Sequence, residues 1–413
     1  MTQLDRRTLL LGSAAGALTL GRGLGAAGRG DEDESLLVVV ELRGGNDGLN
    51  TIVPFEDDHY YRARPNLALA KKDVLRLDDL NGMHPALQRT AQRFGRDGVA
   101  VVQGVGHRVP DLSHFRSQDI WGAGSTDPAG LPETGWLGRA SDRDPRAPAN
   151  PVARLSVGAF GLPYALRGER TACAVPSLER YARRTAPNGT KADERRARQR
   201  ALEALNQPAG EMRGMDPAAL THATRAAETA RLSLADLARV RAFEPVATWP
   251  DTQLATDLRL VAGALAAGLP TRIAYVVLDG FDTHARQAGK HAELLAELDG
   301  AVDAFLNEME ARGRLDRTLV VTVSEFGRRV AENGVGKTAG TDHGAASVAL
   351  LMGGRVRGGV HGDPPHLDRL DPDGNQPHTT HFLELYQTVV KSWLGVKDER
   401  VLGGGFEPLG VLS

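Results

Sequence analysis

The chain alternates short, continuous apolar runs with longer segments in which apolar residues recur every three or four positions. Leu36–Leu42 reads LLVVVEL, Arg272–Leu278 reads RIAYVVL and Thr318–Val323 reads TLVVTV. Continuous apolar runs of this length are typical of strands that are buried on both faces of a sheet. Further strands are predicted at Val99–Val102, Ala153–Val157 and Ala346–Met352.

The segments between these runs have helical periodicity. In His291–Arg312, the apolar residues Leu294, Leu298, Val302 and Phe305 fall on one helix face. Strands that alternate with amphipathic helices predict an α/β fold with a doubly wound, mostly parallel sheet sandwiched by helices. The other predicted helices are Pro85–Phe94, Ser113–Trp121, Asp251–Ala267 and Thr379–Leu394.

One region departs from this alternation. Residues 122–184 are rich in glycine and proline, and Lys191–Phe243 is rich in alanine, arginine, glutamate and leucine. Such a composition favours helix, so we predict a helical insertion or cap at about residues 185–245. We expect residues 31–413 to form a single domain that carries this insertion.

The first thirty residues have the pattern of an export signal. Arg6 and Arg7 precede an apolar run over Thr8–Leu20, and mostly small residues follow as far as Gly30. This order is typical of a signal peptide, and the paired arginines favour the twin-arginine translocase as the export partner. We expect residues 1–30 to be a twin-arginine signal peptide, with an ordinary amphipathic or buried helix as the alternative. The protein would then reside in the periplasm or outside the cell.

Composition excludes several classes of function. The formal net charge is −2, so no overall basic field favours nucleic-acid binding. The N-terminal apolar run is too short to span a bilayer comfortably, and no cysteine lies there to accept a lipid, so we expect no stable membrane anchor. Cys173 is the only cysteine, which excludes an internal disulfide and a thiolate zinc site.

Acidic and imidazole side chains follow three of the predicted strands. They are Asp47 after Leu36–Leu42, Asp282 and His284 after Arg272–Leu278, Glu325 after Thr318–Val323, and Asp342 and His343 further along. The carboxyl ends of parallel strands lie at one edge of a sheet, so these side chains are expected to converge there. Crowded carboxylates need a neutralising cation, and this ligand set suits Zn, Mn, Mg or Ca. Each acid taken alone is equally well explained as a helix N-cap.

Five motifs in this order resemble the exported bacterial family called domain of unknown function 1501, which is related to the alkaline-phosphatase-like superfamily. The motifs are LRGGNDGLN (42–50), LSHFRSQDIW (112–121), GFDTH (280–284), SEFGRR (324–329) and GTDHG (340–344). The resemblance implies an alkaline-phosphatase-like α/β fold and, commonly, two divalent metal ions. It also implies hydrolysis or transfer of phosphate or sulfate esters through a covalent nucleophile.

The resemblance further implies metal-ligand roles for six residues. They are Asp47 as the acid after the first strand, Asp282 and His284 as the paired ligands after a central strand, Glu325 as the next strand-end ligand, and His343 with Asp342 as the later ligands. Many members of the superfamily have Asp-His-Gly where this chain has Ser-Glu-Phe-Gly. Phe326 cannot bind a metal, which leaves the second metal position open. The formylglycine signature of sulfatases is also missing around Cys173.

Ser113 is the candidate nucleophile. It follows a strand and a loop at a predicted helix start, a position that nucleophiles of the superfamily occupy and where a helix N-terminus stabilises negative charge. The alternative is an N-cap serine that bonds its own helix, and the flanking His107 and His114 are open to metal binding, phosphate binding or packing. Arg328, beside Arg329, is a candidate for holding an anionic ester, because a guanidinium group matches phosphate or sulfate; the alternative is a pair of exposed charges.

Two functions stay open from the sequence. The first is a metal-dependent hydrolase of phosphate or sulfate esters, acting on a small molecule or a polymer. The second is a catalytically inactive exported binding protein that keeps the fold. Asp47, Asp282, His284 and His343 together favour the hydrolase, whereas Phe326 favours the binding protein.

Overall fold

The computed structural model describes residues 35–127, 130–159, 161–177 and 236–413. The predicted export signal at residues 1–30 lies outside the described residues. So does most of the predicted insertion at about residues 185–245; of its end, residues 236–240 are helical. None of the described helices is long and apolar enough to cross a membrane.

Strands make up the centre of the fold. In the described part of the chain they are β1 (Leu36–Arg43), β2 (Ile52–Val53), β3 (Leu75–Arg76), β4 (Gly82–Met83), β5 (Val99–Gly106), β6 (Arg154–Val157), β7 (Cys173–Val175), β8 (Ile273–Asp279), β9 (Thr318–Val323), β10 (Gly327–Asn333), β11 (Gly340–Gly344), β12 (Ser347–Gly353), β13 (Gly359–His361) and β14 (Thr380–His381).

Helices connect these strands. Those described are α1 (Gly48–Thr51), α2 (Asp58–Ala63), α3 (Gln88–Phe94), α4 (His114–Ala123), α5 (Trp136–Arg143), α6 (Gln253–Ala266), α7 (Gln287–Ala311) and α8 (Phe382–Gln387), which continues as a π-helical segment over Thr388–Trp393. Local sequence sets several helix ends. Helix α6 begins after Thr252, whose hydroxyl accepts a hydrogen bond from the amide of Ala255. Helix α4 ends at Gly124, which takes the left-handed conformation with a φ of 63°.

The main sheet has nine strands in the order β13-β5-β12-β9-β1-β8-β6-β7, and β14 also pairs with β5. Every pairing in it is parallel except the two made by β12. The predicted fold class is confirmed: the protein has a mixed, mostly parallel central sheet with flanking helices. β1 is central, as its apolar sequence predicts, and seven of its eight residues are buried.

The antiparallel direction of β12 has a simple cause. A strand that runs parallel to its neighbour needs a crossover of about a dozen residues or more, usually a helix, to return the chain to the starting edge. The chain between β9 and β12 is instead used by β10 and β11, which pair with each other as an antiparallel hairpin. β12 therefore starts at the edge where β9 ends and runs back beside it.

The sheet separates two apolar layers. Alternate residues of β1 point to opposite faces, as strand geometry requires. Leu36, Val38 and Val40 join the layer that contains the apolar faces of α6 and α7. Leu37 and Val39 join the layer formed with α4, α5 and α8. Helices therefore cover both faces and leave the carboxyl edge of the parallel strands to the loops.

Candidate functional site

The register of the central strands brings their carboxyl ends level. Arg43, the last residue of β1, lies opposite Asp279, the last residue of β8, and Glu41 lies opposite Val323, the last residue of β9. The loops that follow these strands therefore leave the sheet side by side. The β10–β11 hairpin packs over the same edge, with His343 paired to Arg328.

Three of the predicted ligands meet at this edge. His343 Nε2 lies 3.1 Å from Asp282 Oδ1 and 3.0 Å from His284 Nε2. His284 Nε2 also lies 3.1 Å from the same carboxylate oxygen. Asp282 and His284 are two residues apart just beyond β8, and β11 supplies His343.

The Nδ1 atoms of His343 and His284 already have hydrogen-bond partners. His343 Nδ1 lies 2.8 Å from the carbonyl oxygen of Leu112, which can only accept, so this nitrogen donates. His284 Nδ1 lies 3.1 Å from Asp342 Oδ1. In the neutral tautomers that these partners select, both Nε2 atoms carry lone pairs. Burial lowers the pKa of His343 and favours its neutral form.

This donor set fits a divalent cation. Two imidazole lone pairs and one carboxylate oxygen face a common space, and an acceptor-only arrangement of this kind is unfavourable without a proton or a cation between its members. The separations of 3.0–3.1 Å match the distance of about 3 Å between neighbouring ligands whose bonds to the metal are about 2.1 Å. Metal-binding histidines ordinarily donate their other ring nitrogen to a carbonyl or carboxylate, as His343 and His284 do here.

A fourth residue, His114, completes the cluster. Its Nε2 lies 3.5 Å from Asp282 Oδ2, and its Nδ1 lies 3.0 Å from Glu325 Oε1. Ligand atoms of His114, Asp282 and His343 lie within 4.8 Å of one another, so these three residues could also hold a metal ion. The sequence left His114 open to metal binding, phosphate binding or packing, and the structure places it between Asp282 and Glu325. Its position in the LSHFRSQDIW motif was the available signal.

Asp282 is an ionised carboxylate at the centre of the cluster. Partial burial raises its pKa, but the hydrogen bond and the positive charge of Arg328 outweigh that effect and lower the pKa to about 2. Its side chain is 47% exposed, so the cluster is open to solvent and to a ligand.

Arg328 is buried rather than exposed, and it faces main-chain atoms instead of the solvent. Its guanidinium donates to five acceptors, which are Gly45 O at 2.8 Å, Thr341 O at 2.8 Å, Phe281 O at 2.9 Å, Asp282 Oδ1 at 2.9 Å and Gly44 O. Neither expected role, an ester-binding cation or an exposed charge, describes this placement. Arg328 ties the loop after β1, the loop after β8 and the hairpin together around Asp282.

Asp47 lies apart from the cluster. Both of its oxygens accept from Arg64 Nη1, at 2.9 and 2.7 Å, and Gln287 Nε2 donates to Oδ2. The carboxylate is fully buried, and Arg64 holds its pKa below the ordinary value although burial alone would raise it. The structure therefore places Asp47 in a buried ion pair that anchors the start of α1.

Glu325 and Asp342 lie at the margins of the cluster. Glu325 is buried and reaches it through His114. Asp342 Oδ1 accepts from Asn333 Nδ2 at 2.9 Å and contacts His284 on the side away from the shared space. Burial raises the pKa of Asp342, but its hydrogen bonds with His284 and Asn333 lower it overall.

Phe326 forms the floor beneath two of the imidazoles. Its ring centroid lies 4.5 Å from that of His343 and 4.9 Å from that of His114. Gly45, with a φ of 82°, passes directly against this ring, and a side chain there would clash with it. Phe326 thus supports the cluster by packing.

Ser113 lies beside the cluster at the N-cap of α4. It is exposed, and its hydroxyl makes no capping hydrogen bond to the helix. The preceding Leu112 carbonyl binds His343, and the following His114 contacts Asp282. Its placement suits a nucleophile, and that role stays a prediction.

A cleft of about 590 Å³ opens at the same edge of the sheet, outside the ends of β1, β6 and β8. Its charged lining includes the acids Asp119, Asp257, Asp279 and Glu297 and the cations Arg43 and Arg167. Gln118 links the cleft to the cluster, since it lines the cleft and its Nε2 lies 3.3 Å from Glu325 Oε1. This volume is typical of a small-molecule site.

The sequence of the chain matches a known protein family. Residues 98–404 match the family described as a protein of unknown function, DUF1501. The chain belongs to the DUF1501 family. This confirms the resemblance found in the sequence motifs. The matched range contains the Asp282, His284 and His343 cluster and leaves Asp47 outside.

Solved structures similar to this DUF1501 protein include phosphatases and sulfatases. A variant of the alkaline phosphatase PafA is 11% identical with a TM-score of 0.41, over 92% of this chain and 99% of that one. The PsFucS1 sulfatase from Pseudoalteromonas sp. is 10% identical with a TM-score of 0.38, over 100% and 76%. A protein in the alkaline phosphatase superfamily from Vibrio parahaemolyticus is 10% identical with a TM-score of 0.37, over 89% and 68%. No curated protein sequence matches the chain.

Proposed function

We propose that this DUF1501 protein is an exported, divalent-metal-dependent hydrolase of phosphate or sulfate esters. One observation carries the proposal. Asp282 Oδ1, His284 Nε2 and His343 Nε2 lie within 3.1 Å of one another. The Nδ1 atom of each histidine is hydrogen-bonded to another oxygen outside this group. Export rests on the twin-arginine pattern of residues 1–30 alone.

Asp282, His284 and His343 would hold the metal, with His114 alongside. A bound divalent cation supplies Lewis acidity, which polarises an ester oxygen and lowers the pKa of a coordinated hydroxyl group. The protein contributes fixed geometry, because Leu112, Asp342 and the Phe326 floor orient the imidazole rings. The two imidazole nitrogens favour Zn among the four expected metals, whereas Mg and Ca prefer ligand sets made up of oxygen atoms.

Ser113 is the proposed nucleophile. Its oxygen would form a bond to the phosphorus or sulfur atom while the bond to the ester oxygen breaks, and its proton would leave on the released alcohol. Water would then cleave the serine ester, restoring the hydroxyl and releasing phosphate or sulfate. The N-terminus of α4, which follows Ser113, stabilises negative charge at this position.

The cleft beside the cluster would take the organic part of the ester. Its acids outnumber its cations, which disfavours a second anionic group there. An ester with a neutral or cationic organic part therefore fits better than one with further negative charges.

The test is hydrolysis of aryl phosphate and aryl sulfate esters by the purified full chain, before and after chelation and after adding each metal back. We expect activity that chelation removes and that one of the four metals restores. Asp282→Asn should abolish the hydrolytic activity. Asp73→Asn, which alters an exposed acid distant in sequence from Asp282, should not. Metal binding without hydrolysis of any ester would instead support the catalytically inactive binding protein.

A further inference from the structure

Glu325 is the buried acid beneath the metal cluster, and one of its oxygens serves three donors. Oε1 accepts from the Gly44 amide at 2.9 Å, from His114 at 3.0 Å and from Gln118 Nε2 at 3.3 Å. Only 3% of the residue is exposed. These contacts fix the carboxylate to the loop after β1 and to α4.

The contact with His114 determines which imidazole nitrogen carries the proton. Because Glu325 Oε1 is an acceptor, His114 Nδ1 is the donor. The opposite nitrogen, Nε2, then presents its lone pair toward Asp282 Oδ2, 3.5 Å away. Glu325 thus contacts His114 and not the shared space of the cluster. A carboxylate that orients a metal-binding histidine has this position.

The second oxygen of Glu325 is buried without a hydrogen-bond partner in the described part of the chain, and the residue lines a small cavity. Oε2 and Trp121 Nε1 are both buried without a hydrogen-bond partner among the described residues, and both residues line a cavity of about 20 Å³. Glu41, Gln118 and Tyr275 also line it. A cavity of more than about 10–15 Å³ with polar partners can hold one water. The indole N–H and the carboxylate oxygen are complementary partners for such a water.

We propose that Glu325 is a positioning residue and not a metal ligand. It holds His114 in the Nδ1-protonated tautomer, so that His114 Nε2 faces the metal beside Asp282. A water bound between Trp121 and Oε2 holds the other half of the carboxylate in place. The inference deepens the proposed function, since it rests on the metal centre.

Metal affinity in a double-mutant cycle tests the inference. Calorimetric titration of the metal-free full chain with Mn²⁺ and with Zn²⁺ would compare the wild type with Glu325→Gln, Glu325→Leu, His114→Ala and the Leu/Ala double variant. Glutamine keeps an acceptor for His114 Nδ1, so its affinity should stay within about threefold. Leucine removes the acceptor and should weaken binding about 10–100-fold. The double variant should bind no more weakly than His114→Ala alone.

Glu293→Leu, at a side chain that is 75% exposed, should leave affinity unchanged. A further loss in the double variant would make Glu325 a direct ligand, and unchanged affinity in Glu325→Leu would deny it any role. A wild type that binds neither ion would overturn the metal centre and the inference together.

NMR of the wild-type protein tests the tautomer of His114 without relying on a Glu325 variant that folds. Long-range ¹H–¹⁵N spectra of histidine-labelled wild-type protein at pH 8, with His114→Ala for assignment, report which nitrogen of His114 is protonated. We expect protonation at Nδ1 in the metal-free protein. Protonation at Nε2 alone would overturn the inference.

Discussion

Replacing Arg328 separates a structural role from a substrate-binding one. The side chain is buried and donates to five acceptors drawn from three segments of the chain. Lysine keeps the charge but offers three donors at most, so two acceptors lose their partner. At about 1 kcal/mol for each hydrogen bond, Arg328→Lys should cost about 2 kcal/mol of unfolding free energy. Arg328→Met leaves four buried main-chain carbonyls without a donor, which at the same rate should cost about 4 kcal/mol, while the half-exposed Asp282 can turn to solvent.

Urea unfolding followed by tryptophan fluorescence measures both values. A loss of about 4 kcal/mol is a large part of the 5–15 kcal/mol that stabilises a typical domain, so the Met variant should unfold at a much lower urea concentration. Arg329→Met, next in sequence and half-buried, is the matched control. If Arg328→Met kept wild-type stability and raised only the KM for an ester, Arg328 would be a substrate-binding residue and the structural reasoning would be refuted.

Three further predictions address turnover, pH and export. Ser113→Ala should keep the bound metal and abolish ester hydrolysis with less than about 1 kcal/mol lost in stability; retained turnover would exclude Ser113 as the nucleophile. Burial lowers the pKa of His84 and of His107 to about 4 from an ordinary 6.5. As the pH falls, the unfolded chain therefore binds protons before the folded one, and the free energy of unfolding should drop by about 3 kcal/mol per histidine between pH 6.5 and 4. Urea midpoints that do not change over this range would contradict this. So would a His107→Phe variant whose stability falls as steeply with pH as that of the wild type. Lysines at Arg6 and Arg7 should leave the precursor in the cytoplasm, as fractionation would show, and unchanged periplasmic yield would contradict a twin-arginine signal.

The sequence predicted the parts of the fold that depend on continuous apolar runs. β1 and β9 are buried along almost their whole length, so their hydrophobic patterns are complete and their positions follow directly. Asp282 and His284 could be placed at the carboxyl edge for the same reason, because the end of β8 was evident. Two residues apart beyond a strand, they reach the same space in the structure.

The β10–β11 hairpin was not predicted, because its strands carry no such pattern. GRRVAEN and GTDHG are mostly polar, and they pair with each other outside the main sheet. The role of Arg328 was equally hidden, since its partners are main-chain carbonyls of remote segments, which no side-chain pattern reveals. Asp47 pairs with Arg64, the residue that follows α2, and no pattern in the sequence shows which cation will reach a buried acid.

The metal content and the ligand environment of the full chain after gentle purification test the proposed metal site. Elemental analysis and X-ray absorption should find a divalent ion held by at least two imidazole nitrogens and a carboxylate oxygen. Asp282→Asn and His343→Ala should each lose that ion while keeping the fold by circular dichroism. A wild-type chain that holds no divalent ion, and is not stabilised by adding Zn, Mn, Mg or Ca, would contradict a metal site at Asp282, His284 and His343.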